Sequence, residues 1–271
     1  ATEDVAYSST IQWNDPDTGG AVALTCPSCL SWMSFTDNGD STATITGTPL
    51  DAHVDSGGTA ITVQGVSGGD TVQASYTITV TEVNDAPTLA ATGASGTFTE
   101  GGSNFALYSS ADAADSDSQA TQTFEVIVVT ITNVADSTKE YLVIDGSDCD
   151  ITSAATCVDN TASNSGAAVV TVDGTTSTVT WTADAGGIAE ADMETLIDAL
   201  AYKNTADNPS TGNNRVVTIT TLQDNGGTTG AGDNDVTVAI AATVTVQNTN
   251  DAPVIADSDD TGAVTEAAEG T

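Results

Sequence analysis

The sequence predicts an all-β chain built of tandem sandwiches, on three observations. The apolar residues are mostly Val, Ala and Ile, and they cluster in short runs such as Thr77-Ile78-Thr79-Val80 and Val216-Val217-Thr218-Ile219-Thr220. β-Branched side chains of this kind fit a pleated surface. Gly-rich and Asp/Asn-rich turns punctuate the runs, as at Thr36-Asp37-Asn38-Gly39-Asp40. A joint-like motif also occurs twice, as Thr81-Glu82-Val83-Asn84-Asp85-Ala86-Pro87 and as Gln247-Asn248-Thr249-Asn250-Asp251-Ala252-Pro253. Each copy follows a strand-like run and precedes a fresh start, so the two read as module boundaries. The proline cannot donate to a ladder and keeps the joint extended.

These boundaries divide the chain into a first sandwich at 1–85, a larger sandwich at 86–251, and a remainder at 252–271 that reads as the first strand of a following module. In the first module, strands are expected at 6–12, 21–24, 43–46, 60–64 and 72–80. In the second they are expected at 121–132, 140–144, 167–172, 176–181, 216–221 and 236–246. One stretch breaks the alternation. Ile188, Met193, Leu196, Ile197, Leu200 and Ala201 fall at helical spacing, which predicts a short helix at 188–202 capping one end of the sandwich. The chain opens on Ala1-Thr2-Glu3-Asp4, where a whole module would begin with a Pro-led strand. It therefore reads either as an excerpt from a longer array or as a unit built to join head to tail.

Charge limits the function. There are 38 acidic residues against three basic ones, Lys139, Lys203 and Arg215, for a net charge of −35. Such a surface repels phosphate backbones and anionic lipid, which argues against nucleic-acid binding. It also repels itself unless cations or high salt offset it. No apolar run is long enough to span a bilayer, so direct membrane insertion is not expected. No signal peptide is visible, so a secreted form would begin after processing. The cysteines form two local pairs, Cys26 with Cys29 and Cys149 with Cys157, each able to close a small loop in an oxidising compartment. A four-Cys zinc site would require the pairs to converge from different modules, and a redox motif would require a strand–helix context at Cys26-Pro27-Ser28-Cys29.

Three stretches carry a resemblance. Trp32-Met33-Ser34-Phe35 through Gly47-Thr48-Pro49 to Asn84-Asp85-Ala86-Pro87 resembles a dystroglycan-type cadherin-like or Ig-like module. Leu200-Ala201-Tyr202-Lys203-Asn204-Thr205, with Asn208-Pro209, Arg215 to Thr220 and Asp224-Asn225-Gly226, resembles the cadherin-like repeats of large bacterial surface adhesins. Thr261 to Glu266 resembles the opening of an adhesin repeat of the Vibrio–Colwellia–Bradyrhizobium–Shewanella type. The resemblance implies Greek-key Ig/cadherin-like sandwiches in a linear array, an extracellular or cell-surface location, and Ca2+ at the joints. Calcium takes six to eight oxygens from carboxylates, amides and carbonyls, as a general preference. Carried over residue by residue, the middle joint is expected to combine Glu82, Asn84 and Asp85 of the linker with Glu100 as an early acid and Asp115 and Asp117 as an Asp-x-Asp pair. Alternation along an extended strand would put those two carboxylates on one side. The first module carries the partial set Glu3, Asp15 and Asp17. The linker atoms that match it are Asn248, Asn250 and Asp251 at the other end of the chain. A head-to-tail contact between identical subunits, with the C-terminal tail docking on the next N-terminal module, would complete that set and build a filament. The alternative partners are neighbouring modules of a tandem array, with surface glycans or matrix as adhesive targets.

Asp37–Asp40, Asp224-Asn225-Gly226 and Asp233-Asn234-Asp235 read equally as turn chemistry or as weaker metal candidates. Catalysis is not expected. The one histidine, His53, lies in a Thr/Ser/Gly-rich loop with no Ser-His-Asp arrangement indicated, and the glycine pairs lack phosphate-loop spacing. A carbohydrate-binding accessory module of a secreted hydrolase is the competing class. Exposed, coplanar Trp13, Trp32 or Trp181 would favour it, whereas buried tryptophans and acid-lined joints favour a structural or adhesive repeat.

Overall fold

A computed structural model describes residues 1–16, 22–117, 122–159, 165–226 and 234–252. In the first sandwich, β1 (Tyr7–Gln12), β4 (Thr42–Gly47) and β3 (Ser34–Asp37) form one sheet in the order β1-β4-β3. The second sheet has the order β2-β5-β6, from β2 (Ala23–Thr25), β5 (Asp55–Ser67) and β6 (Asp70–Val80). Alternation does the sorting. In β4 the inward Ala43 and Ile45 are buried, and in β5 Ile61 and Val63 face them from the opposite sheet.

The larger sandwich begins with β7 (Thr88–Gly93), β8 (Ser95–Thr99), β9 (Phe105–Ala106) and β10 (Tyr108–Ala114). It continues through β11 (Phe124–Thr132), β12 (Glu140–Ile144), β13 (Ser147–Asp150), β14 (Ala155–Asp159), β15 (Gly166–Asp173) and β16 (Thr176–Ala183). Helix α1 (Glu190–Ala199), β17 (Ala201–Asn204), β18 (Arg215–Asp224) and β19 (Asp235–Gln247) complete it. Its main sheet runs β14-β15-β16-β11-β18-β19-β8, opposite β13-β12-β17-β9, while β7 pairs with β10. One contiguous core, including Phe98, Phe124, Leu142, Trp181, Leu196 and Tyr202, lies between them. Among the described residues, every ladder lies wholly within the first 81 residues or wholly within 88–247.

Several expected strands are longer than the β-branched runs that signalled them. The strand expected at 60–64 extends to Asp55–Ser67, because the Asp70 hairpin lets the ladder continue past the apolar run. Phe124 begins the strand expected from 121, a residue outside the described set. Between 86 and 120 no strand was expected, yet β7 to β10 form there. That stretch is rich in Ala, Ser, Gly and Thr, so local propensity is weak and its pairing partners decide its structure. The helix is shorter than 188–202. Met193, Leu196 and Ile197 are its buried face, but Ala201 to Asn204 leave it for β17, where Tyr202 pairs with Leu142 and packs edge-on against Phe98 at 5.4 Å. The acids of α1 tie it to the sandwich, since Asp198 and Glu194 accept the backbone N–H groups of Ala111 and Ala113.

Both cysteine pairs are closed, Cys26 to Cys29 and Cys149 to Cys157. The second pair joins β13 to β14, elements from opposite sheets. Cystine closure of the eight-residue loop contributes about 2–3 kcal/mol by chain-entropy arithmetic.

Two of the three basic residues are committed inside this sandwich. Arg215 is 1% exposed and bridges Glu140 at 2.6 Å and Asp136 at 3.0 Å. Its guanidinium also donates to the carbonyls of Ser210 and Asn213. Glu140 in turn accepts the N–H groups of Ala135 and Asp136, and Asp136 accepts from Ser210 and Asn204. Burial pushes the Asp136 carboxyl upward, but the Ser210 and Asn204 hydrogen bonds and Arg215 outweigh it and hold the pKa below the ordinary value. Lys203 pairs with Asp148. Removing one member of a buried, hydrogen-bonded ion network strands the others without compensation. Arg215→Ala is therefore expected to lower the unfolding free energy by about 3–5 kcal/mol, read by denaturant titration, whereas Lys203→Ala, at an exposed pair, should cost no more than ~1 kcal/mol.

Candidate metal centre

Each linker is met by the first acid of the module it leaves. Thr2 bridges Thr81 in parallel, and the Glu3 N–H donates to the Thr81 carbonyl at 2.9 Å. The opening of the chain therefore runs beside the end of β6 in the same direction. Glu3 lands against the linker, 1% exposed, where its Oε2 accepts the Val83 N–H at 3.3 Å. Its carboxylate groups with those of Asp4 and Asp85, with ligand atoms within 4.8 Å of one another. The second module repeats the arrangement. β8 pairs in parallel with β19, Gln247 opposite Thr99, and the Glu100 N–H donates to the Gln247 carbonyl. Glu100 Oε2 then accepts the Thr249 N–H at 2.8 Å, and Glu100 groups with Asp207 and Asp251.

This geometry corrects the expected grouping. Glu100 does not join Asp115 and Asp117; it sits at the opposite end of its own module. Likewise Glu3 does not join Asp15; it belongs to the middle joint. The cause is the parallel pairing of a module's opening segment with its own last strand, which carries the early acid to the exit of the module.

The entrance of the second module supplies the other half of the middle joint. Asp115 to Asp117 follow β10. They are not in extended alternation, because the Asp117 N–H donates to Asp115 Oδ1 at 3.0 Å and closes a tight turn. That turn presents Asp117 Oδ1 to the Asp85 N–H at 2.9 Å, while the Ser116 hydroxyl donates to Asp85 Oδ2 at 3.1 Å. Asp224, at the end of β18, is 1% exposed and accepts from Asn84 Nδ2 at 3.3 Å and from the Gly226 N–H at 2.7 Å. A Cβ at Gly226 would lie 1.2 Å from Asn84 Oδ1, so the linker amide occupies the space that a side chain there would need. Asp4 at this joint and Asp207 at the far one carry no metal signal in the sequence. Asp224 is legible there through the Asp-Asn-Gly stretch, which reads equally as turn chemistry or as a weaker metal candidate.

The remaining candidates are dispersed. Asp15 lies at the other end of the first sandwich, where Ser67 Oγ donates to its Oδ2 at 2.6 Å, and Asp17 lies outside the described residues. Asn248 Nδ2 donates to Asn208 Oδ1, and Asn250 Nδ2 to the Asp251 carbonyl. Asp37 and Asp40 are turn residues. The Leu24 and Gly39 N–H groups lower the pKa of Asp37, and the Thr42 hydroxyl and N–H lower that of Asp40. Asp233 lies outside the described residues, and Asp235 opens β19. His53 Nδ1 accepts the Leu50 N–H in a short 3-10 turn. The tryptophans are dispersed: Trp181 is buried in the second core, Trp32 lies against Gly47, and Trp13 against Gly65.

The electrostatics of the middle joint are those of an uncompensated acid cluster. Burial pushes Asp117 up to about 6, with the charges of Asp115, Asp85 and Glu82 adding to it against the Asp85 N–H. Burial likewise raises Asp224 to about 6, with Asp115 alongside. It raises Glu3 to about 6, with Asp51, Asp85 and Asp4 nearby. Glu82 Oε1 and Asp115 Oδ2 are buried with no hydrogen-bond partner among the described residues. Buried acceptors in this state carry a desolvation cost that a hard cation removes. The donor set is entirely oxygen, which fits calcium and excludes a thiolate- or imidazole-held zinc site here.

The chain matches no protein-family model, and no curated protein sequence matches it. Among solved structures it is similar to EC1-2 of human protocadherin-24, at 13% identity over 86% of this chain and 84% of that one, with a TM-score of 0.40. It is also similar to extracellular cadherin domains 3-6 of protocadherin gamma B2, at 10% identity over 90% of this chain and 50% of that one, with a TM-score of 0.37. A third similarity is to an endo-fucoidan hydrolase from glycoside hydrolase family 107, at 15% identity and a TM-score of 0.30. That match covers 92% of this chain but only 27% of the hydrolase.

The raised carboxyls set a pH dependence. A group that binds its proton more tightly in the fold than in the unfolded chain stabilises the fold below its unfolded pKa and loses that contribution as pH rises through the folded value. In chelator, the thermal midpoint should therefore fall as pH rises from about 4 to about 6 through Glu3, Asp117 and Asp224. Asp224→Asn, measured across the same pH series, should flatten the decline.

Proposed function

We propose that this chain is a structural or adhesive repeat segment of an extracellular protein, in which calcium bound at the middle joint fixes one sandwich on the next. The observation that carries this reading is the convergence of Glu82, Asp85, Asp115, Asp117 and Asp224 on one linker, with buried oxygens left unmatched. The Asn84 amide would join them. Glu3 and Asp4 would extend the ligand set across Asp85. Bound calcium would supply positive charge and multidentate oxygen coordination, holding linker and module entrance together. The chain's own role is to place the carboxylates from both sandwiches at the linker.

Two closed disulfides support an oxidising compartment, and no helix among the described residues is long and apolar enough to cross a membrane. A non-catalytic role is supported by where the perturbed carboxyls point. Asp117 and Asp224 are engaged with linker backbone, Asn84, Gln122 and Gly226. Extracellular joint sites of this type bind with dissociation constants on the order of 0.1–1 mM. At ~10 mM calcium each site would contribute about 1.4–2.7 kcal/mol to the folded state.

Thermal unfolding with calcium titrated against chelator, with magnesium and sodium at matched ionic strength, tests the reading. A calcium-specific rise in midpoint is expected. Asp117→Asn and Gly226→Ala should reduce it, while Asp173→Asn, in an exposed hairpin turn, should leave it intact. An equal response to all three cations would mean charge screening alone and would overturn the calcium joint.

A further inference from the structure

The two sandwiches differ in what covers the seam beside their last strand. In the second module, β7 fills the seam between β10 and β19. It pairs with β10 from Thr88 opposite Ala114 to Gly93 opposite Tyr108, and Leu89 and Ala91 pack on the core. The following Ala94 carbonyl accepts the Thr243 N–H, and a Cβ on Gly93 would lie 2.0 Å from the Ala241 carbonyl oxygen. Under this cover, Ala242, Val244 and Val246 of β19 are 0%, 0% and 3% exposed.

The first module has no such strand among the described residues. Counted back from the linker, Tyr76, Ile78 and Val80 of β6 hold the places of Ala242, Val244 and Val246. Val80 is 2% exposed, but Tyr76 is 37% exposed and Ile78 is only partly covered. Between β6 and β1 lies a cleft of about 300 Å³, lined by Tyr7, Ile11, Ile45, Ile61, Tyr76 and Ile78. Both flanking strands are at the ends of their sheets, so each presents an outer edge to this seam. Open edges beside an apolar cleft are a template for an added strand.

The sequence contains a matching segment. Asn84-Asp85-Ala86-Pro87 leads directly into β7, and the same tetrapeptide at Asn250-Asp251-Ala252-Pro253 leads into Val254-Ile255-Ala256. Glu266 follows Pro253 at the spacing at which Glu100 follows Pro87, and Thr precedes both acids. A chain's own copy of this segment cannot reach its own cleft. Asp235, at the start of β19, is at the joint end of the module, where Asp224 bonds to Asn234. Gln247, the last of the strand's 13 residues, lies about 40 Å away at strand rise. Residues 254–259 stay within about 30 Å of Asp251 at full extension.

We propose that the cleft between β1 and β6 takes residues 254–259 of a second copy of this chain as its missing strand. The donor's Asn250 and Asp251 then come over Asn14, Asp15, Ser67 and Asp70 at the entrance of the first module, as Asn84 and Asp85 sit over Asp115, Asp117 and Asp224 at the middle joint. Each copy carries the strand at one end and the cleft at the other. The contact is heterologous and does not close in a pair, so it propagates as a filament. It depends on ladder hydrogen bonds and apolar burial and goes beyond the calcium reading.

Light scattering and sedimentation on the full chain test this directly, with complementary variants. The unmodified chain is expected to show mass rising with concentration, and a peptide of residues 253–271 added in trans should lower it. Tyr76→Asp spoils the cleft at an exposed position and Ile255→Asp spoils the strand; each alone should weaken assembly by about tenfold or more, with the thermal midpoint unchanged. Mixed together, the two variants should form a one-to-one dimer and nothing longer. A full chain that stays monomeric over its soluble range, assembly that survives Tyr76→Asp, or a peptide that does not compete would each overturn the proposal. Peptide binding in chelator, followed by fluorescence anisotropy, separates it from the calcium joint: loss of the calcium-specific midpoint shift with peptide binding retained would sink only the latter.

Discussion

The chain cannot neutralise its own carboxylates, and most of its construction follows from that shortage. Of its three cationic side chains, Arg215 is enclosed with Glu140 and Asp136, and Lys203 is paired with Asp148. Lys139 lies in the turn beside Asp136. The joint between the sandwiches therefore assembles acids with no partner of opposite charge from these residues. Burial raises the proton affinity of Glu3, Asp117 and Asp224 instead. Near neutral pH protons are too dilute to offset charge on groups whose folded pKa lies near 6, so these acids repel one another unless salt screens them or a cation binds.

Backbone pairing decides which acids share this burden. Because Thr2 runs parallel to Thr81 and β8 runs parallel to β19, each module's first acid arrives at the module's exit. Because the Asp115–Asp117 turn follows β10, the second module's paired acids stand at its entrance. A joint is thus assembled from the exit of one module, the linker, and the entrance of the next. The same logic puts Glu100, Asp207 and Asp251 together at the exit of the second module, while Asp15 stands at the entrance of the first.

The larger sandwich keeps its exit in place by a different means. The loop between β17 and β18 carries Asp207 and Asn208, and Arg215, Asp136 and Asn204 bind that loop to the turn before β12. Asn208 then meets Asn248 of the second linker. A buried ion network in the body of the module and the acid group at its surface are therefore mechanically continuous, through one short loop.

Much of this was legible without a structure. Strand class, the short amphipathic helix and both local disulfides follow from β-branched runs, helical spacing and cysteine separation. Those are local signals, and local chemistry determined them. The composition also determined the excess of acid that the fold must accommodate. The partners of each acid were decided only in three dimensions. Glu3 and Glu100 occupy equivalent places in sequence, but nothing local says that an opening segment pairs in parallel with a strand some eighty to one hundred and fifty residues later. Asp224 reads equally as turn chemistry or as a weaker metal candidate until Asn84 is seen packed against Gly226. The strands between 86 and 120 were silent for the same reason: small, weakly β-forming residues take their structure from the edges they fill. Pattern indicates that the first module opens without a Pro-led strand, but only the structure locates the open seam beside β1 and β6, where both strand edges stand uncovered.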